Sequence, residues 1–158
     1  MTRRTLPHSP YITAVVTALT AAGLEPTEWW TDDSNLDRYR EDDLDGVAVM
    51  LDAVLVWDEE HPALDGQVHR HGIALLWDHP ADAWMWAERA SNGHLVRDPE
   101  LLPALGRWSH PAAVADTVRA LLTGAPRPTG HAPYWHEADP VRVAVAAWAA
   151  AEDAQGAS

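Results

Sequence analysis

At 158 residues, with a formal net charge of −13 and no cysteine, the chain is long enough to bury one core unaided and has neither a disulfide framework nor a thiolate metal site. The charge disfavours nucleic acid, whose phosphates need a basic face, and anionic membrane surfaces; it favours a basic protein partner. The longest apolar runs, such as residues 143–151, fall well short of the ~20 residues a membrane-spanning helix needs, and a cytoplasmic setting is expected.

All eleven basic residues are Arg, and Phe is also missing. Lys and Phe codons are AT-rich, which fits a GC-rich coding sequence. Arg3-Arg4 before a mildly apolar segment ending in Ala21-Ala22-Gly23 mimics a signal peptide. Thr13, Thr17 and Thr20 dilute that segment, and it caps well as a helix.

Residues 1–8 read as a loose tail. Ser9 as N-cap and Pro10 at the first helical position open a helix with Ile12, Val15, Val16 and Leu19 at helical spacing. Gly23 stops it, and Leu24 is expected to fold back. Residues 27–31, with Trp29-Trp30, read as a short strand, and 32–45 as an acidic, solvated loop. Residues 47–57 are β-branched and nearly continuous, as a central strand requires, with Asp52 marking a bulge or bend.

Residues 68–89 predict a β-hairpin about the turn Asp78-His79-Pro80-Ala81-Asp82. Pairing Trp77 with Ala83 would put Trp84, Trp86, Gly72, Ala74, Arg70 and Glu88 on one face, the indoles lying over the two small residues. Arg70 and Glu88 would be near-diagonal neighbours on that face. Residues 98–105 suggest one helical turn closed by Gly106. Ser109 and Pro111 start a second firm helix, ended by Gly124, with Val114, Val118, Leu121 and Leu122 on its apolar stripe. After a Pro/Gly-rich connector, Asp139 and Pro140 open an Ala-rich helix whose terminal Glu152-Asp153 oppose the dipole, so fraying and a disordered tail are expected.

The order predicts an α+β fold: a three- to four-stranded antiparallel sheet with helices packed on one face. The core domain spans 9–125; residues 126–158 add the connector, the C-terminal helix and the tail.

Leu75-Leu76-Trp77-Asp78, Trp84-Met85-Trp86-Ala87-Glu88 and His110-Pro111-Ala112-Ala113-Val114-Ala115 carry a "W-[DE]-x(n)-W" hairpin followed by a "P-x-x-V-A" helix. In these the chain resembles a small, uncharacterised actinobacterial protein family, over residues 10–125. The resemblance implies no particular activity.

His69 and His71, two apart on a strand, would point imidazoles to one face, a metal-ligand arrangement that His61, Asp58 or Asp65 could complete. Two ligands do not define a site, and the simpler reading is a pair of surface histidines. His131 and His136 flank Tyr134-Trp135 and could line a pocket mouth; the simpler reading is a connector that packs one aromatic on the core. Trp29, Trp30, Trp84 and Trp86 could form an aromatic binding platform, because Trp is favoured at binding hot spots, with about two of the four expected in the core. Glu88 beneath two indoles is a conceivable acid/base group, but pairing with Arg70 is the better expectation. No nucleophile elbow, phosphate loop or dinucleotide fingerprint is present, and no cofactor is expected.

These observations favour a non-catalytic, acidic, Trp-rich protein-binding module of immunity or regulatory type, binding through Trp29, Trp30, Trp84, Trp86, Glu88 and Arg70. The alternative is a small enzyme or ligand-binding protein with a His/Trp-lined pocket, metal-dependent if His69, His71 and His61 converge.

Overall fold

The computed structural model describes residues 6–32, 51–78, 83–128 and 130–156. The elements run α1 (Ser9–Ala21), β1 (Glu28–Asp32), β2 (Asp52–Trp57), β3 (Ile73–Asp78), β4 (Ala83–Glu88), β5 (Glu100–Gly106), α2 (Pro111–Thr123), a 3₁₀ turn (His136–Ala138) and α3 (Asp139–Gly156). The five strands form one open antiparallel sheet in chain order, so each strand pairs with its sequence neighbours. The fold is α+β as expected, with five strands rather than three or four. The acidic stretch 33–45 and most of the 78–82 turn lie outside the described residues.

Alternation decides which face each strand buries. Ala53, Leu55 and Trp57 of β2, Ile73, Leu75 and Trp77 of β3, and Trp84 and Trp86 of β4 share one buried cluster with residues of all three helices. From α1 come Tyr11, Ile12, Val15 and Leu19; from α2 come Val114, Val118, Leu121 and Leu122; from α3 come Val141 and Val145. Each such large side chain stabilises the fold by roughly 1.5–3 kcal/mol relative to exposure. The opposite face carries a smaller cluster of Val54, Val56, Ala74 and Leu76, against which Trp30, Met85 and Leu95 pack. A sheet apolar on both faces is why β2 and β3 read as nearly continuous hydrophobic runs.

The hairpin register differs from the expected one by a single residue. Leu75 pairs with Trp86 and Leu76 with Met85, so Trp84 and Trp86 share a face with Leu75 and Trp77, not with Gly72 and Ala74. A one-residue slip moves a whole side-chain set to the other face. The observed choice gathers the large indoles under the helices and leaves Ala74 and Ala87 opposite one another on the other side. β3 also begins only at Ile73; residues 66–71 are turns, so the His69-x-His71 pair is not on a strand.

Further expectations change. Leu6 and His8 are buried rather than part of a loose tail. His8, not Ser9, is the N-cap of α1; its ring stacks on Trp77 at 5.3 Å, and its Nε2 lies 2.6 Å from the Asp52 carbonyl. Residues 100–106 form β5 instead of a helical turn. Val141 and Val145 of the C-terminal stretch belong to the main core, and α3 is helical to Gly156.

The predicted C-terminal stops at Gly23 and Gly124 hold, while both N-caps fall on a histidine. Gly23, at φ 78°, and Leu24 close α1 by returning their N–H groups to Thr20 and Leu19 carbonyls at 3.1 and 2.8 Å. At α2 the imidazole Nδ1 of His110 accepts from the Ala112 N–H at 3.1 Å, while Ser109 is buried one residue earlier.

Candidate functional site

Tyr11 is the hub of an aromatic cluster. Its ring lies 5.2–6.4 Å from those of Trp77, Trp84, Trp108 and Trp135. Its hydroxyl donates to the Ser109 carbonyl at 2.6 Å and accepts from Trp84 Nε1 at 3.4 Å. Trp57 and Trp77 donate to the Leu24 and Arg107 carbonyls, each at 2.8 Å. Of the four tryptophans considered for a platform, Trp84 and Trp86 belong to this main core and Trp29 and Trp30 do not.

The four-indole platform is not assembled on one surface. Trp84 is fully buried and Trp86 nearly so, on the helix-covered face. Trp30 packs on the opposite face, and Trp29 stands 38% exposed on the edge strand β1. Arg70 sits in the turn before β3 and is exposed. Glu88 pairs with a different residue from the one expected: its Oε1 is 3.2 Å from His69 Nδ1, outside hydrogen-bonding geometry.

The three histidines considered as metal ligands are separately engaged. His69 is buried, and its Nε2 lies 2.8 Å from the Leu121 carbonyl in the last turn of α2. His71 Nδ1 is 3.0 Å from Glu59 Oε2, and His61 bridges the Glu25 carbonyl and the Ala63 N–H. Among the described residues no cluster of three His, Cys, Asp or Glu side chains could hold a metal ion.

The connector does build a site. Residues 132–135 run alongside the end of β5 and the corner after it: Ala132 N–H donates to the Ala104 carbonyl, His110 N–H to Pro133, and Trp135 N–H to Trp108, at 2.8–3.0 Å. This backbone pairing covers part of an otherwise open sheet edge. Trp135 packs on the core, as the simpler reading of the connector has it, which leaves Tyr134 exposed beside it. α3 then lies across the corner with Arg142, Val145, Ala146 and Ala149 on one stripe, the i, i+3, i+4, i+7 spacing of a single helix face. Its alanines leave room. The result is an open cleft of about 570 Å³.

Trp108, Tyr134, Arg107, Arg142 and His131 supply its aromatic and polar lining. Tyr134 donates its hydroxyl proton to Asp139 Oδ1 and accepts from Arg142 Nε at 3.2 Å; Arg142 Nε is also 3.8 Å from that carboxylate. The bond to Asp139 pushes the Tyr134 phenol above its ordinary pKa, so it remains a donor at neutral pH. This triad fixes Arg142 at the cleft wall.

Sequence reading had His131 and His136 at a pocket mouth; His131 lines the cleft, whereas the residue beside it there is Tyr134 and not His136. It missed Arg107, Trp108 and Arg142. The first two follow a strand that reads as a helix, and Arg142 is the single basic residue on an Ala-rich helix, so none carries a local signal.

No protein-family model, curated protein or solved structure matches the chain. No helix among the described residues is long and apolar enough to cross a membrane.

Proposed function

We propose that the chain is a non-catalytic binding module for a protein partner, and that the cleft beside α3 is its recognition site. The observation that carries this reading is the cleft's composition. Trp, Tyr and Arg are the residue types in which binding hot spots are richest, and Trp108, Tyr134, Arg107 and Arg142 meet there. The volume falls within the ~300–1,000 Å³ typical of ligand sites, enough to receive a side chain and its backbone. At the rim, Tyr134, Asp139 and Arg142 satisfy one another. The −13 charge of the whole chain supports a partner that is basic around its docking segment, since complementary fields speed encounter.

A photo-crosslinking residue at Ala149, in the cleft wall, should capture one defined protein in the native host. The same residue at Thr13, exposed on α1, should not. Equal capture at both positions, or none at Ala149, would remove the reading.

A further inference from the structure

The charge of the cleft is inverted relative to that of the chain. The protein has 24 acidic and 11 arginine side chains, yet the described residues lining the cleft include two arginines and a histidine, and the carboxylate at its rim, Asp139, is engaged by Tyr134 and Arg142. We propose that the cleft takes a single carboxylate carried on an apolar body, met most naturally as the C-terminal residue of a peptide. This rests on the binding-module reading and names what enters the site.

Four features fit that occupant. Arg142 is held at the wall by Tyr134, and its guanidinium keeps further N–H donors in the planar fork that matches a carboxylate. His131 supplies a ring nitrogen on the loop side of the same cleft, and Arg107 stands at its corner. The alanines of α3, with the edges of the core residues Trp108 and Val145 beneath them, provide the apolar surface on which the body of the ligand would lie. The surrounding charge restricts the class further. At physiological salt, charges are screened over ~8 Å, so one carboxylate feels the local cations, while a polyanion extending beyond the cleft meets the net negative chain. An oligonucleotide or polyacidic segment is thereby disfavoured, and a basic or neutral peptide with a free C-terminus is not.

The test is an amide-shift titration of the full ¹⁵N-labelled chain with four probes: phenylacetate, phenylacetamide, and acetyl-Arg-Ala-Phe ending in a free acid or an amide. Both acids should saturably shift the backbone amides of Ala132, Tyr134 and Ala146, and the amides should bind about tenfold more weakly, as loss of a charge-assisted hydrogen bond implies. The peptide acid binding more tightly than phenylacetate supports a chain terminus; the reverse order keeps the carboxylate and makes a free organic acid its source. Arg142→Gln and His131→Gln should each weaken the acids about tenfold and leave the amides little changed, with thermal melting confirming that each variant folds. Acids and amides binding equally, or no cleft shifts with any probe up to about 10 mM, would overturn the proposal, because even weak specific sites register by then. Crosslinking at Ala149 that persists while all four probes fail sinks the carboxylate and leaves the module reading standing.

Discussion

Tyr11 shows how much one atom can hold. Its hydroxyl serves as donor to Ser109 and acceptor to Trp84 inside the aromatic cluster, so Tyr11→Phe strands two buried groups. We expect a loss of about 1.5–3 kcal/mol in urea unfolding, more than a single exposed hydrogen bond would give. Burial also pushes the Tyr11 phenol up, which fixes the sign of a pH effect. A folded pKa raised above the unfolded one contributes stability below pH ~10 that is lost as pH rises further, at up to about 1.4 kcal/mol per unit for one proton. Wild-type stability should therefore fall above pH 10 more steeply than that of the Phe variant; parallel curves would show that Tyr11 is not the group. Gly72 makes a second residue-scale case. It sits at φ 92° beside the Trp57 carbonyl oxygen, and a Cβ there would fall inside that oxygen's van der Waals shell. Gly72→Ala should cost more than about 2 kcal/mol, measured by the same unfolding, since strain and overlap add.

Elements were legible where the sequence carried stops and periodicity. α1 and α2 begin at proline-led starts and end at Gly23 and Gly124, and their apolar stripes are the buried ones. The hairpin was legible as a pair of strands but not in register. Period-two alternation leaves two pairings one residue apart, and only the helices above the sheet decide between them. β5 was misread for a related reason. Its pairing with β4 is irregular, Ala83 meeting Gly106 while Met85 meets Leu101, and the slack lets Leu102 and Leu105 both turn inward at a helix-like spacing of three. The cleft was half legible, because its mouth lies on one connector while its floor and wall come from segments joined only by folding. His69 gives the element-scale prediction: it holds the end of α2 through Leu121, and His69→Ala should cost about 1–3 kcal/mol in urea unfolding, through the lost bond and the space left behind. The Glu88 contribution should be under about 1 kcal/mol, because that carboxylate is partly solvated, and a double-mutant cycle with Glu88→Gln would measure it.

At the scale of the whole molecule, the helices close over one face of the sheet from both ends of the chain. A chain ending at residue 128 would lose Trp135, Val141 and Val145 from the core. The two valines alone stand for about 3–6 kcal/mol, so its melting temperature should drop by about 10 °C or more, and dye binding should report a newly exposed apolar surface. A truncated form melting with the full chain would restore a boundary near residue 125. The clasp between Tyr11 and Ser109, joining residues 98 apart, also has a temporal meaning. Neighbouring strands can zip together as they are made, but the first helix gains its clasp to Ser109 and its packing on α2 only once the last third of the polypeptide exists. During synthesis the indole-lined side of the ribbon therefore waits uncovered, and that interval is when a chaperone would find this protein.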